Sequence, residues 1–156
     1  MSRIAIIRIC GEHGLTKEVK STLQLLNLHK KNSCSVVKNN PSSVGMIKRI
    51  KDYVTWGEID EETFKELVEK RGKLPGNIKL TEDYIQKELK ISFEDFSKKF
   101  IAGEKEIKDI PGIKPFFRLN PPIGGFERKG VKKPFSVGGV LGYRKEKINI
   151  LIKKML

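Results

Sequence analysis

The apolar positions of this chain first repeat as short runs and then at helical spacing. Residues 3–10, RIAIIRIC, form a nearly continuous apolar run rich in isoleucine, which predicts a strand covered on one face and partly on the other. Gly11-Glu12-His13-Gly14 breaks the run. A helix is expected from there, with Thr16 as N-cap and Val19, Leu23 and Leu26 on one face. His29-Lys30-Lys31-Asn32 makes a basic turn, and residues 33–38, SCSVVK, read as a second strand. After Asn39-Asn40-Pro41, Ser42 or Ser43 is expected to cap a second helix whose Val44, Ile47 and Ile50 point inward. Residues 53–58, YVTWGE, supply a third strand by their β-branched and aromatic content. The order β-α-β-α-β predicts strand-helix-strand crossovers in a small three-stranded sheet, with both helices on a common side. The opposite face and the loops are then open to a partner.

Helical spacing takes over beyond residue 59. Asp60 opens a helix with Phe64, Leu67 and Val68 inward and acids in its first turn, where the helix dipole favours them. Thr81 and Ser92 start two more, with Tyr84, Ile85 and Leu89, then Phe93, Phe96 and Phe100, as core rows rather than binding stripes. At the end of the chain Ile148, Leu151, Ile152 and Met155 follow i, i+3, i+4, i+7, an amphipathic helix with Lys145, Lys147, Lys153 and Lys154 outside.

Residues 116–142, FFRLNPPIGGFERKGVKKPFSVGGVLG, obey neither period. With six glycines and three prolines this stretch reads as loop, and loops of such length tend to be functional or disordered. Its cations (Arg118, Arg128, Lys129, Lys132, Lys133) face one acid, Glu127, and its rings (Phe116, Phe117, Phe126, Phe135) are out of place in a solvated linker. Cations for phosphate, glycines (Gly124, Gly125, Gly138, Gly139) for close backbone approach, and Phe117 or Phe126 for stacking together suit RNA. Such a loop is expected to be mobile when free and ordered on RNA.

Charge sharpens this picture. The 156 residues carry a net charge of +13, which means affinity for polyanions. Residues 1–55 hold 10 Lys+Arg against 3 Asp+Glu, residues 56–110 hold 11 against 14, and residues 111–156 hold 11 against 2. The first and last thirds are therefore expected to face the polyanion, and the middle to face water or protein. Cys10 and Cys34 form no metal set with His13 and His29, so no metal and no cofactor is expected, and buried thiols are. No apolar run reaches the length of a membrane span, and the N-terminus lacks the pattern of a signal peptide, which predicts a cytoplasmic protein that uses no membrane.

An enzymatic reading centres on residues 11–17, where a glycine-bounded loop precedes a helix N-terminus and Arg8, His13 and Lys17 stand near an expected phosphate position. Neither phosphate-loop fingerprint is present, and no carboxylate is placed to orient His13 as a base. The carboxylates between Glu58 and Asp109 are spaced as first-turn acids and i,i+4 partners of lysine.

Several short motifs occur in a telling order: Arg8 and Gly11 closing the first strand, Thr22-Leu23, Leu26 and Leu28 in the helix, Lys30-Lys31 after it, then Asn40-Pro41 and Gly45-Met46-Ile47. The series resembles the core of the universal large-subunit ribosomal protein L thirty family. The added helices around KELVEKRG and the late FFRLNPPIGGF…GGVLG…INILIKKML are similar to its archaeal type and to the eukaryotic counterpart, ribosomal protein L seven. The resemblance implies an α+β fold: a small β-α-β-α-β ferredoxin-like sandwich over residues 1–58, a helical insertion over 59–110, and a basic Gly/Pro-rich loop with a C-terminal helix packing back over 111–156. It also implies a ribosome-bound structural protein without catalytic activity or small-molecule substrate, contacting large-subunit rRNA near the small 5S rRNA and neighbouring ribosomal proteins. The expected RNA contacts are Arg3, Arg8, His13, Lys17, Lys30 and Lys31 near the first loops, Lys48 and Lys51 on the second helix, and Arg118, Gly124, Gly125, Phe126, Arg128, Lys129, Lys132, Lys133, Gly138, Gly139 and Arg144 in the late loop. About half of the cations are expected to touch RNA, since many charges are merely solvated. A non-ribosomal RNA-binding module and a small phosphoryl-handling enzyme using residues 11–17 stand as the alternatives.

Overall fold

A computed structural model describes residues 3–156. The first five elements are β1 (Arg3–Arg8), α1 (Lys17–Leu25), β2 (Ser33–Lys38), α2 (Pro41–Arg49) and β3 (Val54–Glu58). Three helices follow, α3 (Glu61–Arg71), α4 (Glu82–Leu89) and α5 (Phe93–Ala102), then β4 (Phe117–Arg118), β5 (Gly142–Tyr143) and α6 (Ile148–Met155). The fold is α+β, ferredoxin-like at its core, with the C-terminal helix in place.

The sheet runs β4-β2-β1-β3-β5. Here the expected crossovers are corrected. β1 is antiparallel to both β2 and β3, with Ile6 opposite Ser35 on one side and Trp56 on the other. The two strands that run the same way, β2 and β3, therefore flank β1 rather than pair. β2 pairs antiparallel with β4, and β3 pairs parallel with β5. The late segment, expected to be loop, thus places one two-residue strand on each edge of the sheet. Residues 119–141 pass from one edge to the other.

Period two in β1 divides the core. Ile4 and Ile6 point toward α1 and α2, where Leu23, Leu26, Leu28, Ile47 and Ile50 meet them. Ala5, Ile7 and Ile9 point the other way, with Cys34 and Val36, into a larger layer built from α3, α4, α5 and α6. Both faces of the strand are buried, so the second face is not open to a partner as expected. The apolar rows of the middle helices cover it: Phe64 lies flat on Phe100, ring centroids 4.1 Å apart at 6°, and Phe96 stacks beside them. In α6 Ile148, Leu151, Ile152 and Met155 are all buried.

Among the described residues, side-chain caps open two of the six helices, α1 and α5. The Thr16 hydroxyl accepts from the Val19 N–H, and Ser92 from that of Asp95. α2 differs from expectation, beginning at Pro41 with Asn40 as the flanking residue rather than at a serine. Proline at the first helical position loses no hydrogen bond and brings its φ already set.

Candidate nucleic-acid interface

Three of the expected contact arginines lie inside the protein. Arg8, 2% exposed, projects from β1 toward α1 and donates to the carbonyls of Cys10, Gly11, Leu28 and His29 at 2.8 to 3.0 Å. It ties the 9–14 loop to the 28–31 turn, and burial pushes its pKa down. Arg3, on the other face, donates to the carbonyls of Phe100 and Lys105, both at 2.9 Å, and lies over the Phe100 ring at 4.2 Å. Arg144 donates to Thr55 Oγ1 at 2.8 Å and to the Val140 carbonyl at 3.0 Å, forks onto Glu127, and sits over the Phe135 ring. These guanidinium groups are occupied by protein oxygens. They are corrected from phosphate contacts to internal ties, because carbonyls gathered by the fold solvate each charge where water cannot.

Two further expectations change. Phe117 is fully buried opposite Cys34 and cannot stack on a base. Gly139 is buried, and a Cβ there would lie 2.1 Å from the Lys133 carbonyl oxygen, so its close backbone approach is to this chain's own loop. Gly138, Gly124 and Gly125 are exposed, and Phe126 is half-buried against the larger core layer.

The remaining expected cations are exposed: Lys17 beside the exposed His13 at the start of α1, Lys30 and Lys31 after it, Lys48 and Lys51 on and just past α2, Arg118 in β4, and Arg128, Lys129, Lys132 and Lys133 in the late loop. None of them pairs with a carboxylate among the described residues. Besides the Arg144–Glu127 pair, the ion pairs join Lys38 to Glu106, Lys65 to Glu94, Lys70 to Glu66, and Lys153 to Glu62 and Glu66, around the acidic middle of the chain. Unpaired charge is what a polyanion can neutralise, and in the first and last thirds few acids are present to offset it.

Folding brings some of these groups together. Lys51 and Lys132, from opposite ends of the sequence, line a cleft of about 480 Å³ whose wall includes Trp56. In the sequence that tryptophan reads only as a strand residue. Its half-exposed ring, tilted against Tyr143 at 6.3 Å, depends on β5 pairing beside β3, which no local pattern announces. Lys30 and Arg118 line a second cleft of about 220 Å³ with Arg71, Lys73 and Lys114. The acidic balance around Arg71 and Lys73 hides them in the sequence, although the KRGK run at residues 70–73 is a usable signal. Residues 11–17 do not form an anion site around Arg8, whose nitrogens are turned inward. Among the described residues no group of three or more His, Cys, Asp or Glu side chains is placed to hold a metal, and no helix is long and apolar enough to cross a membrane.

Comparison with known proteins identifies the family. A family model described as ribosomal protein L30p/L7e matches residues 4–54, the stretch from β1 to the start of β3. Over nearly its whole length the chain is similar to proteins named large ribosomal subunit protein uL30. It is 49% identical to that of Methanococcus maripaludis over 152 residues, 97% of this chain and 98% of the relative. It is 47% identical to that of Nanoarchaeum equitans across the full length of both, and 43% identical to that of Methanopyrus kandleri over 94% of this chain and 99% of the relative.

Proposed function

The chain belongs to the ribosomal protein L30p/L7e family, and from that membership we propose how it serves the large ribosomal subunit. It is a structural constituent of that subunit, ribosome-bound in the cytoplasm, and not an enzyme; its partners are large-subunit rRNA and neighbouring ribosomal proteins. The observation that carries this is near-full-length identity to archaeal large-subunit proteins, which extends through the middle helices and the late loop. The rRNA contacts of this reading are the exposed, unpaired cations: Lys17, Lys30 and Lys31, Lys48 and Lys51, and Arg118, Arg128, Lys129, Lys132 and Lys133. Gly124 and Gly125 offer open backbone, and Phe126 offers a half-exposed ring. A position near the small 5S rRNA rests on the family resemblance alone.

Co-sedimentation of the tagged protein through sucrose gradients at low and high salt tests the assignment. Migration with the large subunit through a high-salt wash is expected. Migration at the top of the gradient even at low salt overturns it.

A further inference from the structure

We propose that the cleft between the 28–33 turn, the end of α3 and β4 holds a single unstacked RNA nucleotide with its flanking phosphodiesters. This deepens the rRNA-binding reading and rests on it. Five cations converge on the cleft, Lys30, Arg71, Lys73, Lys114 and Arg118, and no Asp or Glu lines it. Like charges gathered without a counter-charge repel one another, and an anion entering the cleft relieves that repulsion. Lys30, Lys73 and Arg118 pair with no carboxylate among the described residues. Of the other two, Lys114 Nζ donates to the neutral Asn77 Oδ1 at 2.8 Å, and Arg71 donates to the main-chain oxygen of Leu156. Each keeps N–H groups for a phosphate oxygen.

The backbone fixes these side chains in place. The Lys114 N–H donates to the Lys73 carbonyl at 3.0 Å, and Arg118 stands opposite Ser33 in the β2–β4 ladder. Phe116, half-buried, closes one wall and meets the His29 ring edge-on at 5.5 Å and 76°. A ring held this way gives a base or sugar a platform beside the phosphate groups. The cavity is a cleft of about 220 Å³ and not a flat face, which suits one extruded nucleotide better than the side of a duplex. Its walls come from three distant stretches of chain, so the bound nucleotide also clamps the first β-α-β unit to the helices and to the late segment.

The test uses full-length protein and protein-free large-subunit rRNA, with filter binding across a salt series. Lys73→Glu with Lys114→Glu is expected to weaken binding by about tenfold at moderate salt and to lower the log–log salt slope by about one for each phosphate left without its cation. Lys87→Glu with Lys90→Glu, on and beside exposed α4, makes the same change in net charge and is expected to leave the slope unaltered. Because Lys114 also supports Asn77, Lys30→Ala with Lys73→Ala, which removes only unpartnered cations, is measured alongside. Phe116→Ala is expected to abolish ultraviolet crosslinking at one rRNA position. Wild-type protein that binds rRNA while both cleft variants bind it equally well, or no worse than the α4 control, overturns this inference and leaves the family function intact. Wild-type protein that neither binds rRNA nor sediments with the subunit overturns both.

Discussion

Arg144 and Glu127 form a forked ion pair in which the guanidinium is buried and the carboxylate only partly so. The same arginine reaches Thr55 in β3 and the Val140 carbonyl, so one side chain joins β3 to two points of the late loop. Removing the acid leaves a buried charge short of its partner, which is far more damaging than never having had the pair.

The pair makes the loop sensitive to acid. Burial raises the Glu127 pKa, but the hydrogen bonds from Arg144 and the backbone and the attraction of Arg144 outweigh it, and the carboxyl is held below its ordinary range. A depressed carboxyl stabilises the folded form above the ordinary glutamate value of about 4.3, and that contribution is lost as pH falls through the folded value. Hydrogen-exchange protection in residues 124–144, taken relative to the intrinsic rate at each pH, is therefore expected to fall below about pH 4 in the wild type. In Glu127→Gln the loop opens more easily at neutral pH, by about 2 kcal/mol, and the acid step is absent. An acid step that survives in the variant refutes the assignment.

Arg8 separates a structural role from an RNA contact. Arg8→Ala strands four carbonyls that now share one guanidinium, and a loss of about 3 kcal/mol in urea unfolding is expected. The rRNA salt slope of the folded fraction should not change. A variant as stable as the wild type but with a lower slope would return Arg8 to the interface.

The helices are legible in the sequence because their information is local. Leu23, Ile47, Phe64, Phe96, Phe100 and Leu151 announce their burial by spacing, and all are buried. β4 and β5 are illegible because two residues carry no period, and each exists only through a partner strand distant in sequence. The sense of β1 relative to β2 and β3 escapes for a related reason, since the same alternation of elements fits either direction. Among the candidate contacts, Lys30, Lys132 and their exposed neighbours can be read as charge awaiting a polyanion. Arg3, Arg8 and Arg144 look identical to them in sequence, and only the carbonyls assembled around them reveal the difference.

The glycines of the late loop divide in the same way. Gly139→Ala drives a methyl into the Lys133 backbone, 2.1 Å from its oxygen and 2.4 Å from its carbon, so residues 133–141 must rearrange. A methyl at Gly124 would meet nothing within 4 Å, but the backbone there has φ +80°, so Gly124→Ala should cost only about 1 kcal/mol. The expected contrast is a substantial fall in Tm for Gly139→Ala, and for Gly124→Ala a small fall in Tm with weakened rRNA binding. Equal melting temperatures for the two variants would contradict the close approach at Gly139.

Cys34 reports whether the first sheet unit stands alone. In the full chain its thiol is fully buried on the face covered by α3 to α6, and burial pushes its pKa up to about 12. A thiol held protonated and out of reach does not alkylate at pH 8. In a fragment of residues 1–58 the face carrying Ala5, Ile7, Ile9, Cys34 and Val36 has no cover, and so small a unit with one layer exposed lacks the burial to fold stably. Iodoacetamide is therefore expected to modify Cys10 alone in the native full-length protein, and both cysteines in the fragment, which should show no cooperative melt. A fragment that melts cooperatively and keeps Cys34 unreactive would mean that the β-α-β-α-β unit is a domain in its own right. The helices that follow would then be a covering it can do without.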